Sequence, residues 1–202
     1  MLLNHVWGLL THPRDEWLDI RSRANSTESR SGLFDLFFLA MIPGISSFIG
    51  SVYFGWSATG LDPVKVSMDS AAIMSIASWL AMIAGTVFMG LFIHWMERTY
   101  GSHRNYLDCV CFAVYVATPL YLTGLSGLYP SIPLTMLAVL LGIGWSAYLL
   151  YLGTPLFMDI PKERGFLFAT SIVCVALVLL VSMKVATVLL WDLGFGPEFI
   201  PD

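Results

Sequence analysis

The sequence is poor in charge. Asp, Glu, Lys and Arg make up 12% of its 202 residues, about half the share found in an ordinary soluble domain. That shortage excludes water as the main solvent of the chain. Cysteine is scarce as well: Cys109, Cys111 and Cys174 are the 3 present, an odd number that excludes a fully paired disulfide framework and leaves buried free thiols as the expectation. The net charge is only -4, with scattered acidic groups and no basic stripe, so nucleic acid is not an expected partner. There is no G-x-S-x-G, no H-E-x-x-H, no phosphate-cradling G-x-x-x-x-G-K-[ST] and no dinucleotide fingerprint, so catalysis has no positive argument and no cofactor is expected. The opening MLLNHVWGLLTHPRDEW lacks a basic start, a long apolar stretch and a small-residue cleavage site, and is expected to stay on the mature protein.

What the sequence has is apolar side chains, at 57%. A helix needs about 20 apolar residues to cross roughly 30 Å of hydrocarbon. The pattern predicts an all-α fold: a polytopic membrane bundle of five transmembrane helices over 33–56, 71–95, 106–125, 134–152 and 166–191. Residues 1–30 form a separate arm carrying 8 charged side chains, 31–192 the membrane domain, and 193–202 a short irregular tail. In the arm, Leu2, Val6, Leu9 and Leu10 share one helical face beside Trp7, which predicts a short interfacial helix. Pro13 breaks that pattern, Trp17 and Ile20 supply a second apolar edge, and RSRANSTESRS reads as a solvated linker.

Basic residues set the expected orientation. Arg14, Arg21, Arg23 and Arg30 precede the first span, Arg98 and Arg104 follow the second, and Lys162 and Arg164 follow the fourth, whereas Lys65 sits in a connection on the other side. The positive-inside rule then places the N-terminus in the cytoplasm and the C-terminus in the periplasm. Trp56, Trp95, Tyr100, Tyr106, Tyr129, Tyr151 and Trp191 fall at span ends, where rings with a polar edge sit at the headgroups.

Within the spans, Lys184 is the sharpest polar feature, with Ser182 and Thr187 nearby and Trp191 seven residues on. A charge at the bilayer centre costs about 2.5 to 3.5 kcal/mol on insertion scales. Lys184 therefore reads either as a snorkelling or ion-paired side chain or as part of a substrate path. In the third span Pro119 removes a backbone donor, and Thr118 or a neighbouring helix is expected to satisfy the carbonyl so released. Asp35 and Asp108 open the first and third spans, where negative charge suits a helix N-terminus. His94 and Glu97, with His103, Asp108, Cys109 and Cys111 shortly after, could meet around a metal. However, Cys-x-Cys is not the usual zinc spacing, alternate residues on a helix do not face each other, and a second cysteine pair is lacking, so no metal site is expected. The 10 methionines are scattered and read as packing rather than soft-metal ligands.

Three segments carry a resemblance: HVWGLLTHPRDEW at 5–17, YVATPLYLTGLSGLYP at 115–130 and YLLYLGTPLFMDIPKERG at 148–165. Together with the five-span layout they resemble the Ypt/Rab-interacting protein (Yip) family, in its small bacterial inner-membrane branch. Tyr115 and Pro119 match the family's Tyr-x-x-x-Pro element. At the first span Asp35-Leu36 is followed by Phe37, Phe38 and only later Pro43-Gly44, a departure from the Asp-Leu-x-Gly-Pro of eukaryotic members. The resemblance implies traffic through Rab GTPases for eukaryotic members. The arm of this chain, about 30 residues long, offers no docking domain of that size. Two functions follow as expectations. The first is a non-enzymatic inner-membrane scaffold that organises membrane lipids, further copies of itself as a homo-oligomer, or other membrane proteins. The second is a transporter, channel or lipid-translocating protein with a path through the bundle involving Lys184 and the Pro119 break; Tyr115, Thr118, Pro119 and Lys184 are the candidate functional residues.

Overall fold

The computed structural model describes residues 2–23, 31–56, 64–129 and 131–200. The linker at 24–30 and the chain end at 201–202 lie outside the described residues. Five helices are long and apolar enough to cross a membrane: α3 (Ser31–Ile49, prolonged by a wide turn over Gly50–Phe54), α4 (Met68–Tyr100), α5 (Tyr106–Thr123, tightening over Gly124–Leu128), α6 (Ile132–Met158) and α7 (Lys162–Leu190, ending in a wide turn over Trp191–Phe195). They are preceded by α1 (Leu2–Thr11) and α2 (Pro13–Arg23). The expected all-α bundle of five spans with a helical arm is what the chain forms.

Several helices run beyond the spans read from apolar character. At 33 residues, α4 is about 50 Å long, against roughly 30 Å of hydrocarbon. Hydropathy marks where a helix leaves lipid, whereas backbone hydrogen bonding carries it further. The α4 helix stops at Gly101, whose φ of 86° lets its N–H and that of Ser102 close on the Arg98 and Glu97 carbonyls. At its start, the Ser67 hydroxyl accepts from the Ser70 N–H at 3.4 Å.

The α5 helix is the centre of the bundle, packed against α3, α4 and α6, whereas α7 lies outside on α4 and α6. Close approach depends on glycine. A Cβ on Gly90 of α4 would stand 2.7 Å from the Val110 Cα of α5, and one on Gly124 would stand 2.7 Å from the Pro43 Cα of α3. Small residues let backbones meet where lipid offers no hydrophobic drive between helices. The α5 helix continues through Pro119. Because proline lacks the donor for the carbonyl four residues back, the released group belongs to Tyr115. The Thr118 hydroxyl instead donates to the Val114 carbonyl, at 2.9 Å.

The two ends of the bundle are built differently. At one end α2, the α4–α5 turn and the α6–α7 turn gather: Arg21 pairs with Asp159 at 2.8 Å, the Ser102 hydroxyl donates to the Met158 carbonyl at 3.0 Å, and Arg104 Nη2 donates to the Phe157 carbonyl at 2.7 Å. At the other end the tail, read from sequence as irregular, gains a two-residue ladder: β1 (Lys65–Val66) pairs antiparallel with β2 (Phe199–Ile200). The Ser70 hydroxyl ties in beside it by donating to the Gly196 carbonyl at 3.3 Å. The first connection and the tail therefore share an end, as an odd number of crossings requires.

Candidate functional site

The arm sits in the bundle through one side chain. Trp17 of α2 has no solvent exposure, and its ring packs on Phe112 and Tyr115 of α5 and Phe157 of α6, at centroid distances of 5.0, 6.4 and 6.0 Å. Gly153 of α6 makes the seat, because a Cβ there would come within 2.5 Å of the indole. Leu9 and Ile20 are buried beside it in the same core. The Leu9 carbonyl accepts from Trp145 Nε1 of α6 at 3.3 Å, and Arg21 donates to the Leu156 carbonyl at 3.2 Å. His5 bonds to Glu16 and so closes α1 on α2, and its ring stands edge-on to Tyr115 at 6.0 Å. Trp7 stays exposed on the outer face. The helical arm expected from sequence thus has a second helix and a fixed seat. The three segments that carried the resemblance supply that seat with Trp17, Tyr115, Gly153 and Phe157.

Of the four candidate functional residues, Tyr115, Thr118 and Pro119 share α5 and Lys184 stands on α7. Tyr115 is half-buried against the arm, and Thr118 and Pro119 are buried in α5. Lys184 is exposed on α7. Its neighbours Ser182 and Thr187 donate back to the Val178 and Met183 carbonyls of their own helix, each at 2.8 Å. Among the described residues no ion pair reaches Lys184. Sequence reasoning found Lys184 through its charge, but its neighbours' spacing could not say which way the helix faces.

A second cluster forms where α4 ends and α5 begins. The 101–105 turn folds α5 back antiparallel to α4, so that His94, Glu97 and Cys109 bring ligand atoms within 4.8 Å of one another. Glu97 is 1% exposed. Its Oε2 accepts from the Arg104 backbone N–H at 2.7 Å and from the Cys109 thiol at 3.8 Å. Its Oε1 lies 3.2 Å from His94 Nδ1. Asp108 is 2% exposed next to Cys109. Cys111 and His103, grouped with these residues on sequence spacing, stand outside the cluster, and His103 is exposed. A second group, His5, Glu16 and Asp19, also brings candidate ligand atoms together in the arm. There His5 and Glu16 are already bonded to each other.

Residues 7–183 match the Yip1 domain. Inner membrane protein YohC of Escherichia coli strain K12 is 36% identical over 193 residues, covering 96% of this chain and 98% of that protein. The YohC protein of Escherichia coli O6:H1 matches with the same identity and coverage. No solved structure matches.

Proposed function

The chain belongs to the Yip1 family, and from that premise we propose that it acts without catalysis as a helix-bundle scaffold of the bacterial inner membrane, organising membrane partners or lipids. The observation that carries this reading is the seating of the arm. A short helical pair held on α5 and α6 by the buried Trp17 gives the bundle one structured, polar face, and large apolar side chains are exposed along the spans beyond it. In the proposed orientation that face is cytoplasmic, because it gathers Arg21, Arg98, Arg104, Lys162 and Arg164. The transport reading needs Lys184 to share a path with Tyr115 and Thr118. Against it stand the outward position of Lys184 and the packing of α5.

The experiment pairs crosslinking with reconstitution. Gly144 of α6 is exposed, and an added side chain there meets nothing within 4 Å, so Gly144→Cys reports on neighbours in the membrane without disturbing the core. Crosslinks at Gly144→Cys to a second copy or to another membrane protein support the scaffold. The absence of both self-association and a stable protein partner overturns its protein-organising form. Movement of ions, lipids or small solutes by reconstituted protein, abolished by Lys184→Met, replaces the scaffold with the transport reading. Cysteine labelling at Ser131 and Asp202 tests orientation, with both expected to react from the periplasmic side.

A further inference from the structure

The cluster at the α4–α5 turn is not used by the scaffold. It places a thiol, an imidazole and a carboxylate together in a mostly buried position. Glu97 and Cys109 are at most 1% exposed, whereas the His94 side chain is 34% exposed and opens one side to solvent. Cys, His and Glu are the ligand types that zinc-class ions take.

Two geometric facts single the cluster out. In a tetrahedral site with bonds of about 2.0 to 2.3 Å, neighbouring N and O ligands stand about 3.3 Å apart and S and O ligands about 3.5 Å apart. One ligand atom from each of the three residues lies within 4.8 Å of the others: Glu97 Oε1 stands 3.2 Å from His94 Nδ1, and its other oxygen, Oε2, accepts from the Cys109 thiol at 3.8 Å, so the ligands need only small shifts to close on one ion. In addition, His94 Nδ1 is a buried atom that makes no hydrogen bond among the described residues, despite that close approach to Oε1. A buried ring nitrogen and a carboxylate oxygen thus stand side by side with no hydrogen bond between them. A cation answers both. The charge also balances between the ligands and the ion, because a divalent cation with the Cys109 thiolate and the Glu97 carboxylate sums to zero. The Arg104 backbone N–H on Oε2 would hold the carboxylate in orientation, as outer hydrogen bonds do at metal sites.

We propose that His94, Glu97 and Cys109 form a binding site for a zinc-class divalent cation at the α4–α5 turn. Its fourth position opens to solvent on the His94 side. Loading forms the metal–sulfur bond and releases the Cys109 thiol proton to solvent, with no change of oxidation state. Sequence spacing pointed away from such a site because it paired Cys109 with Cys111. The fold uses one cysteine and takes its other ligands from the preceding helix.

The test is titration of the full-length, chelator-stripped protein in detergent micelles with Co(II) as the probe. One Co(II) is expected per chain, with a thiolate-to-cobalt charge-transfer band that Zn(II) displaces. Cys109→Ser abolishes the band, while Cys111→Ser and Cys174→Ser keep it. His94→Gln, at a partly exposed side chain, leaves the helical spectrum intact and weakens binding by at least about tenfold. It carries the test on its own if Cys109→Ser fails to fold. Absence of the band in the unaltered protein, its survival in Cys109→Ser, or unchanged affinity in His94→Gln overturns the site and leaves the cluster a polar hydrogen-bond network.

Discussion

The α5 and α7 helices both cross the bundle, yet their surroundings are opposites. The α7 helix is the most apolar of the five spans and lies mostly exposed, whereas α5 is the least apolar and is more than half buried. In water that order would be inverted. In lipid, tails are as apolar as leucine, so burying an apolar helix gains little and the centre goes to the helix that packs and hydrogen-bonds best. The α5 helix qualifies by packing on α3, α4 and α6 and on the arm, through contacts such as Val110 on Gly90, Tyr121 on Thr86 and Tyr115 on Trp17, whereas α7 packs on α4 and α6 and bonds to them through Ser171 with Tyr100 and Thr170 with Tyr151.

The strongest way to break that contrast is to take the arm off α5. Trp17→Ala removes an indole with no exposure, a change that costs about 3 to 5 kcal/mol where the site cannot collapse. We expect amides of α1 and α2 to lose hydrogen-exchange protection while the five spans keep theirs. Trp17→Phe is expected to cost less, because Trp17 Nε1 finds no acceptor among the described residues and its loss relieves an unpaired donor. Equal protection of the arm in Trp17→Ala and the unaltered protein would show that the seat is not what holds it.

Two glycines on α4 sharpen the comparison further. Gly90 faces α5, with the Val110 Cα 2.7 Å from an added Cβ, while Gly85 faces α7, with Leu179 and Met183 at 3.6 Å. Gly90→Ala must push two backbones apart and is expected to destabilise by about 1 to 3 kcal/mol. Gly85→Ala meets only ordinary contact, and its helix propensity favours it by up to about 1 kcal/mol. Unfolding in mixed micelles reads both, and equal effects would erase the distinction between the two interfaces. Thr86→Val comes next. It removes the buried 2.5 Å bond to the Tyr121 hydroxyl, and such interhelical bonds average about 0.6 kcal/mol and reach about 1.7. A loss above that range in the same unfolding assay would mean that the bond also holds a larger network.

The division between legible and illegible follows from the same physics. All five spans and the helical arm could be read, because apolar runs and the Pro13 break are local signals. The ends of the spans could not: α6 continues from Leu152 through Pro155 to Met158, since proline removes one donor but does not by itself stop a helix packed on its neighbours. Tyr115, Thr118 and Pro119 lie together on α5, but only Tyr115 meets the arm, while the Thr118 hydroxyl turns back to the Val114 carbonyl. Trp17 was visible only as an apolar edge, because nothing in its own segment announces that Gly153, 136 residues later in the sequence, leaves room for it. Cys109 was named beside His94 and Glu97, but which of the grouped residues meet depends on the turn at Gly101, which sets how two helices face.

Lys184 gives the smallest expected effect and the most pointed one. It is charged and lies on the apolar helix α7, yet it is exposed and lacks an ion pair among the described residues. Trp191 marks the outer end seven residues away, or roughly 10 Å along the helix, a distance that a four-carbon stem partly covers. A snorkelling ammonium would lower the insertion cost, and an exposed side chain takes little packing with it when the charge goes. Lys184→Met is expected to leave the unfolding midpoint within about 0.5 kcal/mol of its starting stability, as surface substitutions do. The sign should favour methionine slightly, because it suits lipid without snorkelling. A loss of several kcal/mol in mixed micelles would mean that Lys184 makes a buried pair in the membrane. The α7 helix would then be a second core helix, and the contrast with α5 would fail.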